Sequence, residues 1–198
     1  MGSEQPRSTR RPRADSIRNR DLLLDAAREV FSLGGPDASL EAVARKAGLG
    51  IGTLYRHFPT REALFQAVYR REVDEMVDLA NTLADEPDPV LALRKWMHAS
   101  IRMVATKRGM LTALSPALDG STEFFADAAA RLMQAISGLM EAGVAAGRLR
   151  DDITPDELMR AFLGICYMRE QPGWQETVVR LLDVFVDGLA NVQPPPKA

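Results

Sequence analysis

The chain has 198 residues, of which 46% are apolar and 26% charged, with a net charge of −2. That balance is near the globular average and excludes wholesale disorder. The single cysteine, Cys166, excludes an intramolecular disulfide and any cysteine-rich metal site. The longest apolar run, 161–168, is far too short to cross a bilayer, and the first thirty residues hold no apolar signal core. A soluble cytoplasmic protein with no membrane contact is expected. The charge is asymmetric: residues 1–60 carry 10 Lys+Arg against 7 Asp+Glu, and residues 61–198 carry 15 against 20. A basic front fits a polyanionic partner, although an ordinary solvated surface gives the same counts.

Residues 1–16 hold Arg7, Arg10, Arg11 and Arg13 with few large apolar groups, which predicts a flexible basic arm. From Ile17 apolar residues fall at helical spacing until Gly34-Gly35-Pro36 stops the run. Ser39 reads as the N-cap of a short helix ended by Gly48. A second short helix covers about 51–58 and ends at Pro59, and Thr60 caps a longer one reaching Leu83. After the break at 85–89 come a helix over 89–106, a break at Gly109 and a short helix over 110–118. A long helix then starts at Ser121 or Thr122 and ends at Gly147. Thr154-Pro155-Asp156-Glu157 is a strong helix start. That helix reaches about residue 170, and the last spans about 175–190. No segment alternates with period 2, so the expected fold is all-α with about nine helices. The expected domains are the arm, a helix-turn-helix domain over 17–62, a ligand-binding and dimerisation domain over 63–192 and a disordered tail over 193–198.

The stretch from Ser39 to Phe58 carries the most information. Gly48 stands where the chain reverses, and glycine alone takes positive φ cheaply. Leu40, Val43, Ala44, Leu49, Leu54 and Phe58 can bury against the first helix. Thr53, Tyr55, Arg56 and His57 are then left to face outward. Two short helices so joined form a helix-turn-helix whose second helix can enter a major groove. A plain helical hairpin explains the apolar positions but not this outer cluster.

The run from Ser39 through Gly-Thr-Leu-Tyr-Arg-His-Phe58 to Leu64 resembles the DNA-binding signature of the TetR-family transcriptional regulators. The specific resemblance covers about residues 21–69. It implies phosphate contacts from Ser39, Thr53, Tyr55, His57 and Arg61. It also implies that Ile51, Gly52 and Arg56 can meet base edges, with Arg45 and Lys46 adding electrostatic attraction. Many members open the reading helix with serine; Gly50-Ile51-Gly52 stands here, which offers backbone N–H groups and one apolar contact suited to a thymine methyl.

Beyond residue 90 large apolar side chains accumulate. Trp96, Met97, Met103, Phe124, Phe125, Met133 and Met140 are candidates to line an apolar effector pocket, although core packing accounts for many such residues. Leu158, Phe162 and Ile165, with Val178, Leu181, Leu182, Phe185 and Leu189, form stripes on the last two helices that suit a four-helix dimer interface or an intramolecular core. His98 stands without a second ligand one turn away, so no metal site is expected, and no cofactor. The leading expectation is a homodimeric regulator that binds a double-stranded operator and is released by a small apolar or aromatic effector, most simply a repressor. A DNA-binding regulator without a small-molecule ligand is the first alternative. An all-α enzyme is the second, and it lacks support: there is no nucleophile elbow, phosphate loop or paired catalytic carboxylate.

Overall fold

In the computed structural model, residues 10–33, 38–114, 122–167 and 174–190 are described. They form eight helices: α1 (Arg10–Leu33), α2 (Leu40–Lys46), α3 (Ile51–His57), α4 (Arg61–Leu83), α5 (Pro89–Leu114), α6 (Thr122–Ala145), α7 (Pro155–Cys166) and α8 (Trp174–Leu189). The fold is all-α, and no strand occurs among the described residues.

The helix starts follow capping chemistry. The Ala42 N–H donates to Ser39 Oγ at 3.1 Å, and the Ala63 N–H donates to Thr60 Oγ1 at 3.1 Å. At α7 the Glu157 N–H donates to Thr154 Oγ1 at 3.3 Å while Glu157 Oε2 accepts from the Thr154 N–H at 2.8 Å, with Pro155 at the first helical position. Such caps are worth about 1 kcal/mol each. The bonds from Thr154 hold the Glu157 carboxyl below the usual range.

Two expectations are corrected. The helix expected over 110–118 is not separate from its predecessor, because α5 continues through a buried Gly109 to Leu114. The helices of the described residues therefore number eight, against about nine expected. The helix expected from Ile17 begins at Arg10, so residues 10–16 are helical rather than part of a flexible arm. Residues 1–9, the stops at 34–36 and 172–173, and the tail over 193–198 lie outside the described residues.

The chain divides into two compact units. The first holds the chain up to Val68 with the end of α5 from Thr106; the second holds Tyr69–Ala105 and the chain from Ala117 onward. The division falls inside α4 rather than at its start. In the first unit α1, α2 and α3 pack on one another through Leu23, Ala27, Phe31, Leu40, Val43, Leu54 and Phe58. The Arg20 guanidinium lies over the Phe58 ring at 5.3 Å from its centroid.

The second unit has one core, which includes Val73 and Met76 of α4, Leu93 and Trp96 of α5, Ile136 of α6, Phe162 of α7 and Leu182 of α8. The Trp96 indole N–H donates to the Met76 carbonyl at 2.9 Å, so the largest core side chain keeps its polar edge satisfied. A polar clamp joins α5 to α8. Arg94 Nη1 donates to Asp183 Oδ1 at 2.7 Å, Arg94 Nη2 donates to Asp187, and His98 Nε2 lies 2.9 Å from Asp183 Oδ1. The hydrogen bond from Arg94 holds the Asp183 carboxyl below its usual range. After α6 the chain reverses at Gly147, whose φ is 66°. Leu149 then folds back over Gly143, where any Cβ would overlap the leucine side chain.

Candidate nucleic-acid interface

The turn between α2 and α3 sets the geometry. Gly48 has φ 69°, a conformation strained for any residue with a Cβ. The reversal closes with the Gly48 N–H on the Arg45 carbonyl at 3.1 Å and the Leu49 N–H on the Ala44 carbonyl at 2.9 Å. Those bonds occupy the last carbonyls of α2 and aim the chain into α3.

Leu54 is 0% exposed and anchors α3 by its inner face. The helical repeat then places Ile51 and Tyr55, four residues apart, on an outer face, where they are 38% and 47% exposed. Arg56 is exposed, and Thr53 and His57 are half-buried. Arg56 lies back along its own helix: its Nε donates to the Gly52 carbonyl at 3.4 Å and its Nη2 to Thr53 Oγ1 at 3.3 Å. Gly52 is itself exposed. A hydroxyl, a phenol, a guanidinium and an imidazole thus crowd one short helix, the donor types that hold phosphate oxygens and base edges.

The flanking candidates differ in availability. Ser39 Oγ accepts the capping bond from Ala42, which leaves its own proton free to donate outward. Arg45 is exposed and makes no ion pair with the described residues, whereas Lys46 Nζ sits 2.5 Å from Glu29 Oε2. Arg45 and Lys46 were both expected to add electrostatic attraction; the salt bridge to Glu29 offsets the lysine charge. Arg61, at the start of α4, is half-buried, and its buried Nε makes no hydrogen bond.

The residues expected to line an effector pocket fall elsewhere. Trp96 and Met97 are fully buried in the core of the second unit. Met103 and Met140 are also core residues, and Phe124, Phe125 and Met133 are half-buried. Phe124 and Phe125 stack edge-on with each other and with Tyr69, at ring separations of 5.5–5.9 Å. The second unit does contain a half-open groove of about 500 Å³ between α4 and α6, lined by Val77, Ala80, Asn81, Ala84, Arg131, Gln134, Ala135, Ser137, Gly138, Leu139 and Glu141. None of the seven expected residues lines it.

The stripes expected on α7 and α8 fall mostly in the intramolecular core, the alternative that their spacing left open. Leu158, Phe162, Val178, Leu182 and Leu189 are buried within one chain, and Ile165 and Phe185 are half-buried. Of the eight, Leu181 alone is exposed. The apolar surface left open lies on the other side of the same helices: Leu163 and Tyr167 at the end of α7, and Leu181 and Val184 on α8. Sequence periodicity signalled amphipathic helices, and apart from Leu181 the residues it singled out lie wholly or partly in the core.

Comparison with known proteins follows this division. Residues 23–68 match the family model described as bacterial regulatory proteins, tetR family, and residues 88–191 match that of the transcriptional regulator SbtR-like C-terminal domain. The crystal structure of a TetR transcriptional regulator from Streptomyces coelicolor is similar at 41% identity and a TM-score of 0.77, over 88% of this chain and 99% of that one. A TetR transcription regulatory protein from Mycobacterium vanbaalenii is similar at 32% identity and a TM-score of 0.67, over 90% of this chain and 98% of that one. The uncharacterized HTH-type transcriptional regulator TtgW of Pseudomonas putida is 43% identical over 60 residues, 30% of this chain and 45% of that protein. Matches to the curated relatives thus span less than half of their length.

Proposed function

The chain belongs to the TetR family of DNA-binding transcriptional regulators, and we propose that it acts as a cytoplasmic homodimeric repressor released from its operator by a small molecule. The observation that carries the DNA half of this reading is α3 itself. Leu54 locks the helix from within, and Ile51, Tyr55 and Arg56 stand outside on the next turns. In a dimer, two such helices enter successive major grooves about 34–36 Å apart, so the operator is two-fold symmetric. Ser39, Thr53, Tyr55, His57 and Arg61 hold phosphates; Ile51 and Arg56 read base edges, with Gly52 between them; Arg45 supplies longer-range attraction.

Exposed Leu163, Tyr167, Leu181 and Val184 support dimerisation through α7 and α8, since apolar side chains on two adjacent turns suit a helical bundle. The α4–α6 groove supports an effector site, its volume lying within the usual range for small-molecule pockets. Its lining mixes alanines with Asn81, Arg131, Gln134 and Glu141, which suits a compact ligand bearing hydrogen-bonding groups. Such a ligand lowers operator affinity only by the factor with which DNA lowers affinity for the ligand. The test is binding-site selection from random-sequence duplexes. Recovery of a motif with two inverted half-sites one helical turn apart supports the reading, and recovery of no motif overturns it.

A further inference from the structure

The groove of about 500 Å³ between α4 and α6 is electrically lopsided. At one end Arg131, which lines it, holds Asp74 Oδ1 through Nη2 at 2.7 Å, so the guanidinium charge there is already offset. The rest of the lining lies on the C-terminal side of that pair on both helices, Val77 to Ala84 after Asp74 and Gln134 to Glu141 after Arg131. Both helices therefore run the same way along the groove. Glu141 stands at its far end, about 15 Å along α6 from Arg131. A helix C-terminus carries partial negative charge, and neither α4 nor α6 has a basic residue in its last turn to offset it. Glu141 is exposed and makes no ion pair with the described residues. The basic side chains bonded to the link after α4 are already held, Lys95 by Glu86 at 2.5 Å and Arg148 by Asp88 at 3.5 Å. Between the two ends Val77, Ala80 and Ala135 supply apolar surface, and Asn81 and Gln134 carry amides that donate and accept.

We propose that this groove takes a compact amine, protonated at neutral pH, with its ammonium group on Glu141 and its apolar body along Val77, Ala80 and Ala135. This rests on the reading of the α4–α6 groove as the effector site, and adds to it the sign of the ligand's charge and the residue that selects it. An anion in the same place meets the Glu141 carboxylate and two helix ends of negative sign, while the guanidinium at the other end is shared with Asp74. An ammonium group finds an acceptor whose charge nothing else in the described chain offsets. A carboxylate walled on two sides by helices is less hydrated than one on an open surface, so its hydrogen bond to a cation is stronger than that of a fully exposed pair.

The experiment uses the full-length protein at neutral pH and three ligands of one size: 2-phenylethylamine, 2-phenylethanol and phenylacetate. Calorimetric titration gives the Kd of each for wild type, Glu141→Gln and Gly138→Phe. Gly138 lines the groove and a Cβ there meets nothing within 4 Å, so the phenylalanine fills the space without straining the helix. Ala135→Trp repeats the block from the neighbouring turn, and circular dichroism confirms that each variant is folded. The expected result is that wild type binds the amine about tenfold or more tightly than the alcohol or the acid, the gain of a charge-assisted hydrogen bond. Glu141→Gln should bring the amine down to the affinity of the alcohol and leave the alcohol unchanged, and Gly138→Phe should abolish binding. If the alcohol or the acid binds as tightly as the amine and Gly138→Phe blocks it, the amine assignment is overturned and the groove stands as the effector site. An amine Kd unchanged by Glu141→Gln overturns the assignment in the same way. If binding is indifferent to both Gly138→Phe and Ala135→Trp, or if none of the three ligands binds, the groove reading fails and the inference falls with it.

Discussion

Replacing Val184 by glutamate separates folding from assembly. Val184 is 70% exposed on α8, so within one chain the substitution changes little, about 0.5 kcal/mol or less. In a two-fold dimer built on this face it acts twice. Each copy loses about 1 kcal/mol of apolar burial, taking roughly 1.5 kcal/mol for a fully buried valine. Each also places a carboxylate in an apolar interface, at a cost of several kcal/mol if it is fully enclosed. Even a partial desolvation brings the sum to about 4 kcal/mol, which is roughly a thousandfold in the dimer Kd. Leu182→Glu is the contrasting case, because Leu182 is fully buried in the core of the second unit and its loss should unfold the protein. Sedimentation equilibrium over a concentration series, with circular dichroism alongside, reads both effects. Val184→Glu should give a helical monomer that no longer binds operator. A variant that stays dimeric with an unchanged Kd would refute the assignment of this face.

Arg45→Ala should lower the slope of log K against log salt by about 0.9, whereas Lys46→Ala should change it less because Glu29 already offsets that charge; equal effects from the two would show that the ion pair opens on DNA. Burial, then Tyr167 and Glu72, push the Tyr69 phenol up to about 12. The unfolded chain ionises this group near pH 10, so its contribution is intact below that pH and is lost as pH rises towards 12. Wild type should therefore lose about 2–3 kcal/mol over this interval that Tyr69→Phe retains, and parallel alkaline denaturation curves would contradict the burial argument. Ala135→Trp places an indole in the α4–α6 groove; operator affinity should hold while response to the effector, once one is found by thermal-shift screening, disappears. An Ala135→Trp protein that still responds would move the effector site elsewhere.

The DNA-reading end was legible because its local chemistry is strong. Gly48 at the reversal, Ser39 and Thr60 as caps, and Leu54 inside with Tyr55 outside each follow from a rule acting over a few residues. The errors arose where tertiary packing outweighs local preference. Gly109 reads as a helix break, but it is buried within α5, and packing carries the helix past a residue that costs about 1 kcal/mol. The start of α1 lacks apolar residues, yet a helix exposed along 14–18 needs none, and arginine and alanine are good helix formers. On α7 and α8 apolar residues occupy two stripes. Periodicity found Leu158, Phe162, Val178 and Leu182 but could not tell which stripe faces the chain's own core. Trp96 and Met97 show the same ambiguity between a packed interior and a pocket wall, since both use large apolar side chains.

The central claim is that α3 holds operator DNA through Tyr55 and His57. Its most direct test is the affinity of wild type and of Tyr55→Ala/His57→Ala for the selected operator and for a scrambled duplex, measured at one fixed salt concentration. The account predicts tight operator binding by wild type. It predicts loss of affinity for both duplexes in the variant, since it assigns both side chains to phosphates, and the variant should keep the wild-type helical spectrum and dimeric state, since neither Tyr55 nor His57 is part of the buried core. A folded, dimeric variant that binds the operator as tightly as wild type would contradict it.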